Sequence, residues 1–119
     1  DDRYAMRQHT QAFLATASQR QRGDGGLFHE VTHLNLDSGV TQVWDAGVGN
    51  GVSEPVFVPR HASADEGEGW LLATVYEATR QASSLVILDA TEVSQGPIAT
   101  ARLDHRIPFG FHGSWRANE

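Results

Sequence analysis

Cysteine is absent from this chain of 119 residues. That excludes a disulfide framework and a thiolate metal site, and it fits a reducing, cytoplasmic setting. Long apolar runs are lacking as well; nothing approaches the roughly 20 residues that a membrane span needs. Basic residues are few, with Lys+Arg at 9 against Asp+Glu at 15 and a formal net charge of −6. An acidic surface repels phosphate backbones, so nucleic acid is not an expected partner. No basic cluster draws the chain to an anionic membrane, so peripheral membrane contact is expected only through parts upstream of it. The opening Asp1-Asp2-Arg3-Tyr4 has no initiator Met and no signal-peptide core. With the polar end Arg116-Ala117-Asn118-Glu119, it predicts a piece of a longer protein. Phosphate-cradling Gly-Lys loops and Gly-x-Ser-x-Gly elbows are also missing.

What is present is ordinary globular composition, 39% apolar and 20% charged, which argues against disorder. The pattern predicts one all-β unit over 1–119, built of antiparallel strands. Ala12 to Ser18 is ambiguous between strand and helical turn. Gln19 to Gly26 reads as a polar loop. Leu27 to Leu36 alternates, with Phe28, Thr32, Leu34 and Leu36 on one parity. Asp37-Ser38-Gly39 turns the chain back into Val40 to Trp44, a hairpin. Further strands are expected over Glu54 to Val58, Trp70 to Tyr76, Ser84 to Leu88 and Pro97 to Leu103. The run Ser84 to Leu88 suits a strand buried on both faces. Asp37 and Asp89 each close a strand before a returning one, 52 residues apart. A period of about 50 with four short strands per unit is a propeller-blade signature. A β-sandwich also gives evenly spaced strands. Propellers close with roughly four to eight blades, so about two units leave a ring incomplete.

Six histidines carry the possible chemistry. His29-Glu30-Val31-Thr32-His33 matches the zinc-protease string His-Glu-x-x-His, which chelates only on a helix. Here β-branched Val31 and Thr32 and the following hairpin predict a strand, which would set the two imidazoles about 13 Å apart. His112 lies in Ile107-Pro108-Phe109-Gly110-Phe111-His112-Gly113-Ser114-Trp115. Dry aromatic surroundings favour the neutral, metal-binding imidazole, and the flanking glycines allow close backbone approach. A satisfied core histidine fits the same residues. Glu54 leads into the apolar Pro55-Val56-Phe57-Val58. It reads as a strand-edge residue in water, as a partner of Arg60, or as a carboxylate supporting a metal-bound histidine.

From Ser53 to Arg60 (Ser-Glu-Pro-Val-Phe-Val-Pro-Arg) the chain resembles the carotenoid cleavage oxygenases, which include stilbene dioxygenases and the retinoid isomerase. The likeness continues through Asp65-Glu66, Gly69-Trp70-Leu71-Leu72, Ser84 to Asp89 and Arg106 to Trp115. Trp44-Asp45-Ala46-Gly47 also fits, so the resemblance covers roughly Leu27 to Trp115. It implies the last one to two blades of a seven-bladed β-propeller with Fe(II) on its axis, held by four histidines with supporting glutamates. On that resemblance His112 is one iron ligand and Glu54 one supporting glutamate. The remaining ligands belong upstream, with the rest of the parent propeller. The implied reaction inserts both atoms of O2 across a C=C bond of an apolar conjugated alkene. Phe57, Phe109 and Phe111 are candidates to line a substrate tunnel, or to pack the core. A metal-free propeller or sandwich binding module is the competing reading, and a direct contact between His112 and Glu54 is expected to discriminate the two.

Overall fold

The computed structural model describes residues 1–18 and 27–117. The loop expected at Gln19 to Gly26 lies outside the described residues. A short 3-10 turn (Asp2–Tyr4) precedes β1 (Gln11–Thr16), β2 (Glu30–Asn35), β3 (Thr41–Asp45), β4 (Gly51–Val52) and β5 (Val56–Pro59). Then come β6 (Gly69–Glu77), β7 (Ala82–Asp89), a 3-10 turn (Val93–Gln95) and β8 (Pro97–Arg102). The described residues are thus all-β, as the patterning predicts. No helix among them is long and apolar enough to cross a membrane.

The strands form two antiparallel sheets. The first runs β1-β2-β3. The second runs β4-β6-β7-β8, with β5 also on β6. β1 was ambiguous by its own periodicity because Ala12 to Thr16 is small and weakly patterned. Pairing with β2, Phe13 opposite His33, makes it a strand. The two Asp-terminated turns occupy matching places, between β2 and β3 and between β7 and β8. Gly39 takes a φ of +71° in the first of them, as the turn chemistry requires.

The core lies between the sheets. Leu71, Ala73 and Val75 of β6 and Val86 and Leu88 of β7 meet Val31 of β2, with Phe13, Trp44 and Phe57 packed around them. Burial along β6 alternates from Gly69 to Tyr76, the mark of one face inward. β7 alternates too: Val86 and Leu88 are buried while Leu85 and Ile87 are half-buried, so it is not sealed on both faces. Over 28–36 the buried residues are His29, Val31 and Thr32, so both parities contribute; of the expected face Thr32 is buried and Leu34 half-buried, while Phe28 and Leu36 are exposed. Val31 joins the core between the sheets, while Thr32 on the opposite parity is held by a 2.6 Å hydrogen bond to the Thr16 hydroxyl, so strict alternation does not describe this strand.

Several motif residues hold this frame. Glu66 accepts the amides of Thr10 at 2.8 Å and Gln11 at 3.0 Å and the Thr10 hydroxyl at 2.8 Å, tying β1 to the loop before β6. Burial pushes its carboxyl up, but those donors outweigh it and hold the group below its ordinary value. Arg60 lies 5.0 Å over Trp70 and bonds Asp89 at 3.1 Å. It also pairs with Glu68 at 3.6 Å, so it is not the partner of Glu54.

Candidate functional site

Glu54 sits where the inner edge of the second sheet is interrupted. Val52 pairs with Val75 and Val56 with Leu72, so four steps along the edge match three along β6. One extra residue in a strand is a bulge, which re-aims the side chain that it carries. Pro55 cannot donate to the ladder. Ser53 repairs the break: its amide donates to Thr74 O at 2.9 Å, and its Oγ accepts the Thr74 amide at 2.9 Å. Glu54 is left projecting from the edge.

His112 reaches the same place from the far side. After β8 the chain leaves the outer edge of the sheet and crosses back over its end. His112 Nδ1 comes to 2.7 Å from Glu54 Oε2. A carboxylate offers only acceptors, so Nδ1 carries the donated proton. In the neutral ring the lone pair then lies on Nε2. Gly113 allows the approach: a Cβ there would stand 2.9 Å from Val56 Cγ2. Gly110, by contrast, has nothing within 4 Å of the same position. The surroundings are not dry in this chain, for the His112 side chain is 85% exposed and that of Glu54 47%. Phe111 turns outward and Phe109 is half-exposed. The segment lies across the open end of the sheets instead of entering the core between them.

Two grooves meet at this pair. One, of about 270 Å³, runs between Leu72, Thr74, Leu85 and Trp115. The other, of about 490 Å³, is walled by Phe13, Leu27, Phe28, Val52, Phe109 and Phe111. Glu54, Phe111 and His112 line both. Phe57 lines neither; it stacks on Phe13 with centroids 5.5 Å apart and belongs to the core. Sequence reasoning missed Phe13, Leu27 and Phe28 as groove walls, because only tertiary contacts bring them there: Phe13 through the pairing of β1 with β2, and Leu27 and Phe28 through the 2.8 Å bond from the Val52 amide to Phe28 O and the meeting of Leu27 and Phe109 over Gly51.

The other histidines are engaged elsewhere. His29 and His33 belong to an extended segment and not to a helix, which removes the protease-like reading. His29 Nε2 accepts the Ser18 amide at 3.2 Å, and Nδ1 lies 3.3 Å from Asp45 Oδ1. The cluster His29, Glu30 and Asp45 is the one grouping of metal-ligand type among the described residues. With both imidazole nitrogens engaged in hydrogen bonds, His29 has no lone pair to offer it. His33 Nε2 bonds Gln11 Oε1 at 2.7 Å and its ring stacks on Phe13 at 4.9 Å. Its Nδ1 is buried without a partner.

Burial holds the His33 pKa below its ordinary value of 6.5. The folded-state pKa is the lower one, so the unfolded chain binds the proton first. Stability is therefore full above about pH 6.5 and falls as pH drops toward the folded-state value. The thermal midpoint of the protein is expected to fall between about pH 7 and pH 5. His33→Phe, which keeps the stack on Phe13, should flatten that part of the profile. An unchanged slope in the variant would exclude His33 as its source.

A family profile described as retinal pigment epithelial membrane protein matches residues 1–117. That is wider than the stretch from Leu27 onward that carries the recognisable motifs. The apocarotenoid-15,15'-oxygenase of Synechocystis is 40% identical over 99 residues, 83% of this chain and 20% of that protein. The crystal structure of the lignostilbene dioxygenase of Pseudomonas brassicacearum superposes with a TM-score of 0.90 at 34% identity, over 99% of this chain and 26% of that one. A cobalt-substituted structure of the Synechocystis oxygenase gives a TM-score of 0.84 at 32% identity, over 94% of this chain and 23% of that one. The chain thus spans about a fifth to a quarter of the length of the relatives it matches. Its two sheets have the arrangement of those propeller-type oxygenases, with the ring incomplete in this chain.

Proposed function

The chain belongs to the carotenoid cleavage oxygenase family, and on that premise we propose that it carries one ligand of an iron centre, His112, and one supporting carboxylate, Glu54. The observation that carries the reading is the 2.7 Å bond between His112 Nδ1 and Glu54 Oε2. A carboxylate on the far nitrogen fixes the tautomer, orients the ring and raises its basicity, the usual support of a metal-bound imidazole. The donor set fits iron as a contribution of one neutral imidazole. The remaining ligands come from parts of the protein outside this chain. Cobalt substitution in a relative is consistent with a metal site in the family.

Iron bound there supplies activation of O2 for cleavage of a C=C bond into two carbonyl products. The chain's own residues hold and shield. Glu54 keeps the Nδ1 proton in place, so His112 presents Nε2. Phe109 and Phe111 wall an apolar groove beside the ring, which suits a conjugated alkene and disfavours water. The relatives are named for apocarotenoid and lignostilbene substrates, and an apolar conjugated alkene of that kind is the substrate class we assign. The exposure of His112 favours a metal-free binding module. The bulge that aims Glu54 at the ring weighs more, since a strand edge in water needs no such partner.

Glu54→Gln keeps the shape and removes the charge. The protein carrying it is expected to bind iron about 10–100-fold more weakly, read by competition with a chelator. Affinity equal to wild type would sink the supporting role.

A further inference from the structure

We propose that Arg106, with Tyr76 and Ser83, positions the segment that presents His112; the inference rests on the reading of His112 as a ligand. β8 is the outer edge of its sheet, and no strand follows it among the described residues. Residues 103–112 must therefore bring the imidazole back across β7 and β6 to Glu54 without a ladder of their own.

Ser83 starts the crossing. It is 2% exposed on β7. Its carbonyl accepts the Leu103 amide at 2.9 Å, its amide donates to His105 O at 2.9 Å, and its Oγ accepts the Ile107 amide at 2.9 Å. Two of these bonds extend the β7–β8 pairing past Arg102. The third uses the hydroxyl to lead the chain off the sheet at Ile107. Glu54 ends the crossing. Among the described residues, the Ser83 and Glu54 bonds are the hydrogen bonds made by the 107–113 segment.

The middle is held by stacking. The Arg106 guanidinium lies 4.8 Å over the Tyr76 ring and 5.2 Å over the Phe109 ring. Phe109 meets Tyr76 edge-on at 6.3 Å. Tyr76 is the register partner of Ser83, so hydroxyl post and aromatic post stand side by side on β6 and β7. Arg106 makes no ion pair among the described residues, which leaves the rings as partners of its charge. A planar guanidinium can stack on both rings; an ammonium cannot do so equally. Phe109 is three residues from His112, and a ring fixed there limits how far the imidazole can swing.

The test uses the protein that carries this segment, with cobalt(II) as the probe metal and hydrogen exchange as a metal-free readout. Arg106 is exposed, so Arg106→Gln should fold normally. It is expected to release cobalt(II) about two- to fivefold faster, the range that one exposed cation–π contact represents. Amides from Phe109 to Gly113 should exchange faster in the metal-free protein, with β6 and β7 unchanged. Arg106→Lys should recover part of both effects. Ser83→Ala is the second variant and should loosen the same amides. Release and exchange like wild type in Arg106→Gln, while His112→Ala loses its cobalt, overturn the inference and leave the ligand reading intact. Faster exchange spread evenly through β6 and β7 also overturns it, as general damage to the sheet. A His112→Ala protein that keeps its cobalt overturns the ligand reading and the inference with it.

Discussion

His112→Ala in the full protein is expected to weaken iron binding by more than about a hundredfold, beyond the 10–100-fold range typical for losing a supporting carboxylate. The measurement is iron per protein after equilibration with a chelator, with alkene-cleaving activity assayed in parallel. The reason lies in what the side chain touches. Its Nδ1 is held by Glu54 at 2.7 Å, and the rest of the ring is 85% exposed in this chain. Truncation therefore removes the proposed ligand nitrogen and, within this chain, disturbs little packing. This chain, metal-free and carrying the substitution, should keep the wild-type unfolding free energy to within about 0.5 kcal/mol, as for other exposed sites. Iron content at parity with wild type would end the ligand assignment. Glu54→Gln should fall between the two proteins, because it leaves the nitrogen and removes the charge that steadies it.

The fold was easier to read from the residues than the site was. β6 and β7 announce themselves as short, continuous apolar runs bounded by turn residues, but those runs hide the alternating burial that the structure gives them. Parity in β2 was harder. Phe28 and Leu36 share a parity with Thr32 and Leu34, yet both are exposed, Thr32 is buried, and the core between the sheets takes Val31 from the other parity. Such a choice depends on contacts contributed by other strands, and no window within β2 contains them. Phe57 was open for the same reason: whether an aromatic lines a tunnel or stacks on Phe13 depends on β1, more than forty residues away in sequence.

For the site, Glu54 and His112 are 58 residues apart and their contact follows from no local periodicity. The family motifs paired them; physics alone favoured a core histidine. The bulge that aims Glu54 had a partial local signal, since Glu-Pro at the head of an apolar strand removes a donor where the ladder needs one. The exposure of His112 had none. Gly110, Phe111 and Gly113 suggest a tight apolar nest, but the segment crosses an open end of the sheets. Ser83 and Arg106 were missed because a buried serine and an exposed arginine carry no signature until Tyr76 and Phe109 are brought to them.

Leu71→Ala should produce the opposite phenotype to His112→Ala. Leu71 is fully buried near the start of β6, between Phe57 and Leu88 in the ladder, and belongs to the core shared with Val31 of the first sheet. Loss of its side chain removes transfer energy and leaves a cavity, together about 2–5 kcal/mol for a buried Leu→Ala change. The cavity cannot collapse easily, because β6 is clamped by β7 on one side and by β4 and β5 on the other. Denaturation of the metal-free protein, followed by tryptophan fluorescence, should show the loss; Trp44 packs on this same core. Below the unfolding transition the variant should still bind iron at wild-type stoichiometry, since Glu54 and His112 sit on the edge and the crossing segment, not in the inter-sheet core. A Leu71→Ala protein of wild-type stability would mean that the two sheets do not depend on each other. One that folds but loses iron would mean that the inter-sheet core, and not the Glu54 bulge, sets the position of the ligand.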